Sequence, residues 1–198
     1  MIQIPSHIRG LIFDCDGTIA DTMPAHYRAW VEALGEHGVE FPEALFYELG
    51  GMPTPNIIAL LNDRHGHNMP VEETAHRKEL IFEQRLHEVL PIDPVVQVIR
   101  DYNGKLPLAV ATGGFRRIAE KILRTVGVWD KIDALVAAED VKQGKPAPDV
   151  FLEAARRINV EPSLCLAFED ANLGIQAARA AGMDVIDVRQ YPKRLSKK

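Results

Sequence analysis

A chain of 198 residues, 46% hydrophobic and 26% charged, with a formal net charge of −5, is long enough for one good core or one core plus a smaller inserted unit, and too apolar for intrinsic disorder. The acidic balance gives no general attraction for nucleic acid or an anionic membrane, and the basic end "KRLSKK" reads as a solvated tail. Cys15 and Cys165 lie inside apolar runs and make no secreted disulfide framework, the N-terminus lacks a signal-peptide apolar region, and no apolar stretch approaches about 18 residues, so a reducing cytoplasm is the expected location.

The first predicted element is the strand "GLIFD", Gly10 to Asp14, which runs into Cys15, Asp16 and Gly17. From about Thr22 to Leu90 the pattern is helical, with the breakers "GGMPTP" and "RHGHNMP" and no buried strand. Its longest helical runs are "MPAHYRAWVEALGEHG" and "VEETAHRKELIFEQRLHEVL". Short apolar runs then alternate with amphipathic ones, the pattern of parallel strands joined by helices. A second strand spans Leu106 to Thr112, a third lies within Ile132 to Asp140, a fourth spans Leu164 to Asp170, and a fifth Asp184 to Val188. Helices are expected in "RRIAEKILRTVG", ending at Gly127, in "APDVFLEAARRINV" after Pro146, and in "ANLGIQAARAAG", stopping at Gly182. The expected fold is α/β: an open parallel, Rossmann-like sheet core, residues 1–20 and 91–198, with a helical cap domain inserted over 21–90.

In open parallel sheets, ligands bind beyond the carboxyl ends of the strands, so residues that end different strands share one crevice. Four such ends carry chemistry: Asp14 and Asp16 at the first, Thr112 with Gly113 and Gly114 at the second, Lys145 beyond the third, and Glu169 with Asp170 at the fourth. Converging carboxylates repel one another unless a cation offsets them. Hard oxygens without neighbouring His or Cys suit Mg²⁺, held by one or two carboxylates and a substrate phosphate. The Thr112 hydroxyl, the amides of the glycine turn and the Lys145 charge would complete a site for a phosphoryl group.

"FDCDGT", "ATGG", "GKPAPD" and "FEDA" resemble, in order, the four motifs of the haloacid dehalogenase-like phosphatase superfamily, across the whole core. The resemblance implies that Asp14 is the nucleophile forming an aspartyl-phosphate, and Asp16 the general acid and base. It also implies that Thr112 and Lys145 hold the phosphoryl oxygens, with Gly113, Gly114 and Arg116 on the substrate side. Mg²⁺ would be bound by Asp14, Asp16 through its backbone carbonyl, Asp170 and Glu169. The inserted segment resembles the small cap of the β-phosphoglucomutase-like group, which closes over the core and contributes substrate contacts. His26 falls where that group has a hinge-region histidine, and Lys78 near a cap lysine; an exposed helix histidine and a solvated lysine are the plain alternatives. Thr54 stands at about the place where the mutase has an arginine for the second phosphate. "GMPT" and "FEDANLGIQAARAAGMD" resemble the fructose-1-phosphate phosphatase subgroup.

The expected activity is therefore a Mg²⁺-dependent phosphatase acting on a small sugar phosphate, with β-phosphoglucomutase as the alternative. Oligomeric state stays open, with a monomer admissible. A phosphoaccepting signalling domain shares the Asp, Thr and Lys set, but such domains place the acid pair before the acceptor and lack the insertion. Other chemistries have little support: Ser6, Ser163 and Ser196 lie outside any G-x-S-x-G context, no G-x-x-x-x-G-K-[ST] loop precedes Lys145, and His65 and His67 have no further ligands at zinc spacing. Cys15, pointing away from the acids, and Trp30 and Trp129 are expected to pack. Taken singly, the acid pair reads as a turn, Lys145-Pro146 as a loop and Glu169-Asp170 as a helix cap; their joint occurrence in order at successive strand ends argues for a site.

Overall fold

The computed structural model describes residues 2–50 and 52–191; the basic tail and Ser196 lie outside them. In chain order the elements are β1 (Gly10–Phe13), β2 (Ala20–Asp21), α1 (Met23–Gly35), α2 (Glu43–Glu48), α3 (Thr54–His65), α4 (Val71–Gln84), β3 (Leu90–Pro91) and α5 (Asp93–Tyr102). There follow β4 (Leu108–Ala111), α6 (Arg116–Thr125), β5 (Ala134–Val136), α7 (Asp149–Arg157), β6 (Cys165–Glu169), α8 (Asn172–Ala180) and β7 (Asp184–Asp187). The chain divides into two compact units, Met1–Asp21 with Val89–Lys198, and Thr22–Glu88.

The first unit is an open α/β sheet. Its five strands run parallel in the order β5-β4-β1-β6-β7. Every residue of β1, β4 and β6 is buried, which is why they read as unbroken apolar runs: helices cover both faces of a parallel sheet. One core cluster joins Ile12, Ala109, Val136 and Ala167 of the sheet to Phe151 and Ala154 of α7 and Ala177 of α8. Helix α7 turns Val150, Phe151, Ala154 and Ala155 inward, and α8 does the same with Gly174, Ile175, Ala177 and Ala178, both at the three-to-four-residue spacing of a helix face. Gly127 and Gly182, both with positive φ, follow α6 and α8 as expected.

Two elements differ from the sequence expectation. Helix α5, left unassigned, buries Val95, Val96, Val98 and Ile99 behind an Asp-Pro start; that start and spacing were its signal. The ribbon of β2 and β3 pairs Ala20 with Pro91 and Asp21 with Leu90, so Asp21, Val89 and Leu90 belong with the sheet unit. Two-residue strands carry no legible period and exist only because the partner is present.

The second unit is built of α1 to α4. Trp30 and Leu34 from α1 pack with Phe41, Phe46 of α2 and Ile57, Ile58 and Leu61 of α3, and the Trp30 and Phe41 rings lie 5.3 Å apart. No helix among the described residues is long and apolar enough to cross a membrane.

Candidate active site

Strand order gathers the expected residues. β1 lies between β4 and β6, with Phe13 level with both Val110 and Phe168, so Asp14, Thr112 and Glu169 end neighbouring strands. The chain builds one half of the sheet outward from β1 through β4 to β5, then crosses to β6, which makes the β1 edge a topological switch point. The Asp14 N–H donates to the Phe168 carbonyl at 3.0 Å, and Thr112 N–H to Val136 O at 3.0 Å, carrying the ladder one residue past each strand.

Beyond Asp14 the backbone folds into a tight turn. Gly17 N–H donates to Ala20 O, and Ile19 and Ala20 both donate to Cys15 O. Gly17 has φ +81°, and a Cβ there would come within 2.2 Å of Asp170 Oδ2. Its glycine thus serves both the left-handed turn and the close approach of a carboxylate. Thr18, fully buried, donates its hydroxyl to Asp170 Oδ1 at 3.1 Å. Cys15 is buried in the core; burial pushes its thiol well above the usual range and the nearby carboxylates push it the same way, so it is no nucleophile.

Lys145 Nζ donates to Asp14 Oδ1 and to Glu169 Oε1, both at 2.6 Å. The second oxygen of Glu169 accepts the Ala171 N–H at 2.7 Å, so this residue anchors the backbone just before α8 while also facing the site. Gly174 makes room for it: a Cβ there would fall 1.6 Å from Glu169 Oε1. Burial raises the Asp14 carboxyl well above the ordinary carboxylate value; Lys145 opposes the rise, and Glu169, Asp170 and Asp16 reinforce it. For Lys145, burial disfavours the charge, yet the attraction of Asp14 and Glu169 and its bonds to both hold its pKa above that of an ordinary lysine.

A divalent cation fits this donor set. Asp14, Glu169 and Asp170 each offer an oxygen, all within 4.8 Å of one another, and the missing side chain at Gly17 lets Asp170 come close. Oxygen donors alone match a hard divalent cation. Among the described residues this trio is the group of three or more ligating side chains that converges; His65 and His67, with rings 6.0 Å apart, belong to no such group.

The glycine turn sits beside the acids. Gly114 N–H donates to Thr112 Oγ1 at 3.0 Å, and a Cβ on Gly114 would lie 3.7 Å from Asp16 Oδ2. Gly113 is exposed, with open space about it. Arg116 is not brought to the cluster by its side chain: the guanidinium donates to Asp140 and, at 3.0 Å, to the Leu135 carbonyl.

In the helical unit, taken by itself, His26, Lys78 and Thr54 form one chain of contacts. Lys78, 3% exposed, donates to His26 Nδ1 at 3.0 Å and to Glu79 Oε1 at 2.9 Å. Thr54 donates to the same Glu79 oxygen at 3.1 Å. The His26 ring stacks on Phe82 with centroids 3.6 Å apart, and Lys78 Nζ lies over the Trp30 and Phe82 rings. Lys78 is therefore not the solvated lysine that its sequence context allowed. Sequence reasoning missed Glu79, Thr18 and Gly174; only Gly174, a glycine inside a helix, left a signal.

A family model described as haloacid dehalogenase-like hydrolase matches residues 8–182. The chain is 45% identical over 181 residues to the fructose-1-phosphate phosphatase YqaB of Escherichia coli, covering 91% of this chain and 96% of that protein. It is 30% identical over 194 residues to the β-phosphoglucomutase of Bacillus subtilis, covering 92% and 84%. Among solved structures, CbbY of Rhodobacter sphaeroides in complex with phosphate superposes with a TM-score of 0.81 at 25% identity, covering 90% of this chain and 84% of that one.

Proposed function

The chain belongs to the haloacid dehalogenase-like hydrolase family, and from that premise we propose that it is a Mg²⁺-dependent phosphatase of small sugar phosphates, fructose 1-phosphate or a near relative, acting through an aspartyl-phosphate on Asp14. The observation that carries the reading is the Lys145 ammonium set between Asp14 and Glu169 at 2.6 Å, beside the third carboxylate of Asp170. Such a site is built to receive the negative oxygens of a phosphoryl group next to a nucleophile. Asp14, Asp170, the Asp16 carbonyl and Glu169 would hold Mg²⁺, which when bound neutralises charge on the phosphoryl oxygens.

An Asp14 oxygen attacks phosphorus and the ester P–O bond breaks. Its electron pair leaves on the sugar oxygen, which takes a proton from Asp16. Asp16 then removes a proton from water, the hydroxide attacks phosphorus, and the bond to Asp14 breaks to release phosphate and restore the carboxylate. Lys145, the Thr112 hydroxyl and the Gly113 amide hold the oxygens that gain charge, with the Gly114 N–H donating to Thr112 Oγ1 and so orienting that hydroxyl; holding that charge is most of the catalysis in phosphoryl transfer. The buried site opposes ionisation of Asp14; Lys145 and a bound cation favour the carboxylate that must attack.

β-Phosphoglucomutase is the second reading, favoured by the identity to the Bacillus subtilis enzyme of that name. Its bisphosphate intermediate needs a cation for the second phosphate, and Thr54 is neutral and hydrogen-bonded to Glu79. Phosphate release should be assayed with Mg²⁺ on fructose 1-phosphate, 6-phosphogluconate, phosphoglycolate and β-glucose 1-phosphate. Fructose 1-phosphate is expected to be hydrolysed best, and Asp14→Asn to abolish release. Hydrolysis of none of these esters sinks the proposal, and primed conversion of β-glucose 1-phosphate to glucose 6-phosphate would decide for the mutase.

A further inference from the structure

We propose that Asp140 and Arg116 are positioning residues for catalysis: one charge network fixes both phosphate-holding groups, Thr112 and Lys145, and Arg116 acts through it rather than on the substrate. The proposal rests on the phosphatase reading above. Asp140 closes the turn that follows β5. Its Oδ2 accepts the Ala137 N–H at 2.8 Å and the Arg116 guanidinium, and its Oδ1 pairs with Arg157 of α7 at 3.0 Å. Both arginines also donate to the Leu135 carbonyl in β5, at 3.0 and 2.8 Å. The carboxylate thus ties the start of α6 and the face of α7 to the end of one strand.

These ties bracket the catalytic segments. Gly114, the last residue of the Thr112 turn, offers its carbonyl to Ala138 N–H at 3.0 Å, and the Arg116 N–H donates to both oxygens of Glu139 at 3.2 Å. The turn that presents Thr112 is therefore held on its far side by three consecutive residues, Ala138, Glu139 and Asp140. Lys145 lies on the segment between Asp140 and the start of α7 at Asp149, and the Asp140–Arg157 pair ties the first end of that segment to the last residue of α7, closing a loop of chain that contains Lys145. Side-chain exposures are 18% for Asp140, 28% for Arg157 and 40% for Arg116, so the Arg157 arm of the network is the better shielded and the Arg116 arm is partly screened by solvent. Because Thr112 and Lys145 grip the oxygens common to every phosphate ester, loosening them slows chemistry on all substrates alike.

The test compares Asp140→Asn, Arg116→Met, Arg116→Lys and the Asn/Met double variant with wild type, using fructose 1-phosphate and phosphoglycolate, alongside amide hydrogen exchange. Each of Asp140→Asn and Arg116→Met is expected to lower kcat about 10- to 100-fold on both esters, as small misplacements of catalytic groups do. The double variant should lose little beyond either single one, and Arg116→Lys should recover part of the loss. Exchange should quicken at residues 113–115 and 141–145 while melting stays above the assay temperature. Wild-type kcat in folded variants overturns the proposal. So does a loss confined to KM on one ester, which would make Arg116 a direct substrate contact. If Asp140→Asn does not fold, Arg116→Met, which leaves Asp140 bound to Ala137 and Arg157, carries the test. A wild type inactive on every ester refutes the phosphatase reading instead, and the exchange comparison still decides whether the network holds the two segments.

Discussion

At Gly17 the backbone sits at φ +81° with Asp170 Oδ2 2.2 Å from where a Cβ would be, so the smallest possible substitution tests the turn and the proposed metal ligand together. Gly17→Ala is expected to cost about 1–2 kcal/mol for the left-handed conformation, and more once Asp170 is displaced. Thermal unfolding measures the first effect. A Mg²⁺ titration by calorimetry measures the second, with affinity expected to fall. The same stretch shows how far residues can be read without coordinates. Asp14, Asp16 and Gly17 read singly as a strand-closing turn, and it is their company, with matching residues at the later strand ends in order, that marks them as a candidate site. Thr18, whose hydroxyl meets Asp170 from 152 positions away, could not be singled out, since a hydrogen bond between distant segments leaves no local pattern. Glu169 faces the site as a carboxylate and bonds the backbone just before α8, but the N-cap position that the sequence suggested for Glu169-Asp170 is taken by Ala171.

Among the elements, α7 carries the clearest electrostatic signature. Glu153 binds Arg156 at 2.7 Å and Arg157 at 2.7 Å, and its hydrogen bonds to these two arginines lower its pKa from 4.5 to about 2. The folded pKa lies below the unfolded one, so the stabilisation is present above about pH 4.5 and is lost as pH falls toward 2. Glu153→Gln is expected to destabilise by about 0.2–1 kcal/mol at pH 7, within the range of partly exposed pairs. Urea unfolding at a series of pH values should show the difference from wild type shrinking through that window; a difference independent of pH would refute the assignment. Helix α7 was legible from its apolar period. The short β2 and β3 ribbon was not, because two residues cannot display a period and only pairing with a distant partner creates the strand.

Each compact unit has its own apolar cluster, one about Ile12, Phe151 and Ala167 and one about Trp30, Phe46 and Ile58. Ile58 is fully buried, and Ile58→Ala is expected to cost about 2–5 kcal/mol. Hydrogen exchange should place that loss in α1, α3 and α4, with amides of β1 and β4 keeping their protection; equal loss in the sheet would mean that the two clusters unfold as one. By itself the sequence determined the class of fold and the order of the five sheet strands along the chain, and it pointed to an insertion after the first strand and to the acids, threonine and lysine of the candidate site. Those are local properties: apolar period, glycine placement and residue type survive in a linear string. Tertiary structure alone decided which strands are neighbours, and therefore that Lys145 spans Asp14 and Glu169. It also decided that Arg116 turns to Asp140, and that Glu79 links Thr54 to Lys78. Apart from the Lys78–Glu79 bond between neighbours, each of these is a contact between charged or polar groups at least 24 positions apart in sequence, and such contacts are set by how the elements pack, which no single segment encodes.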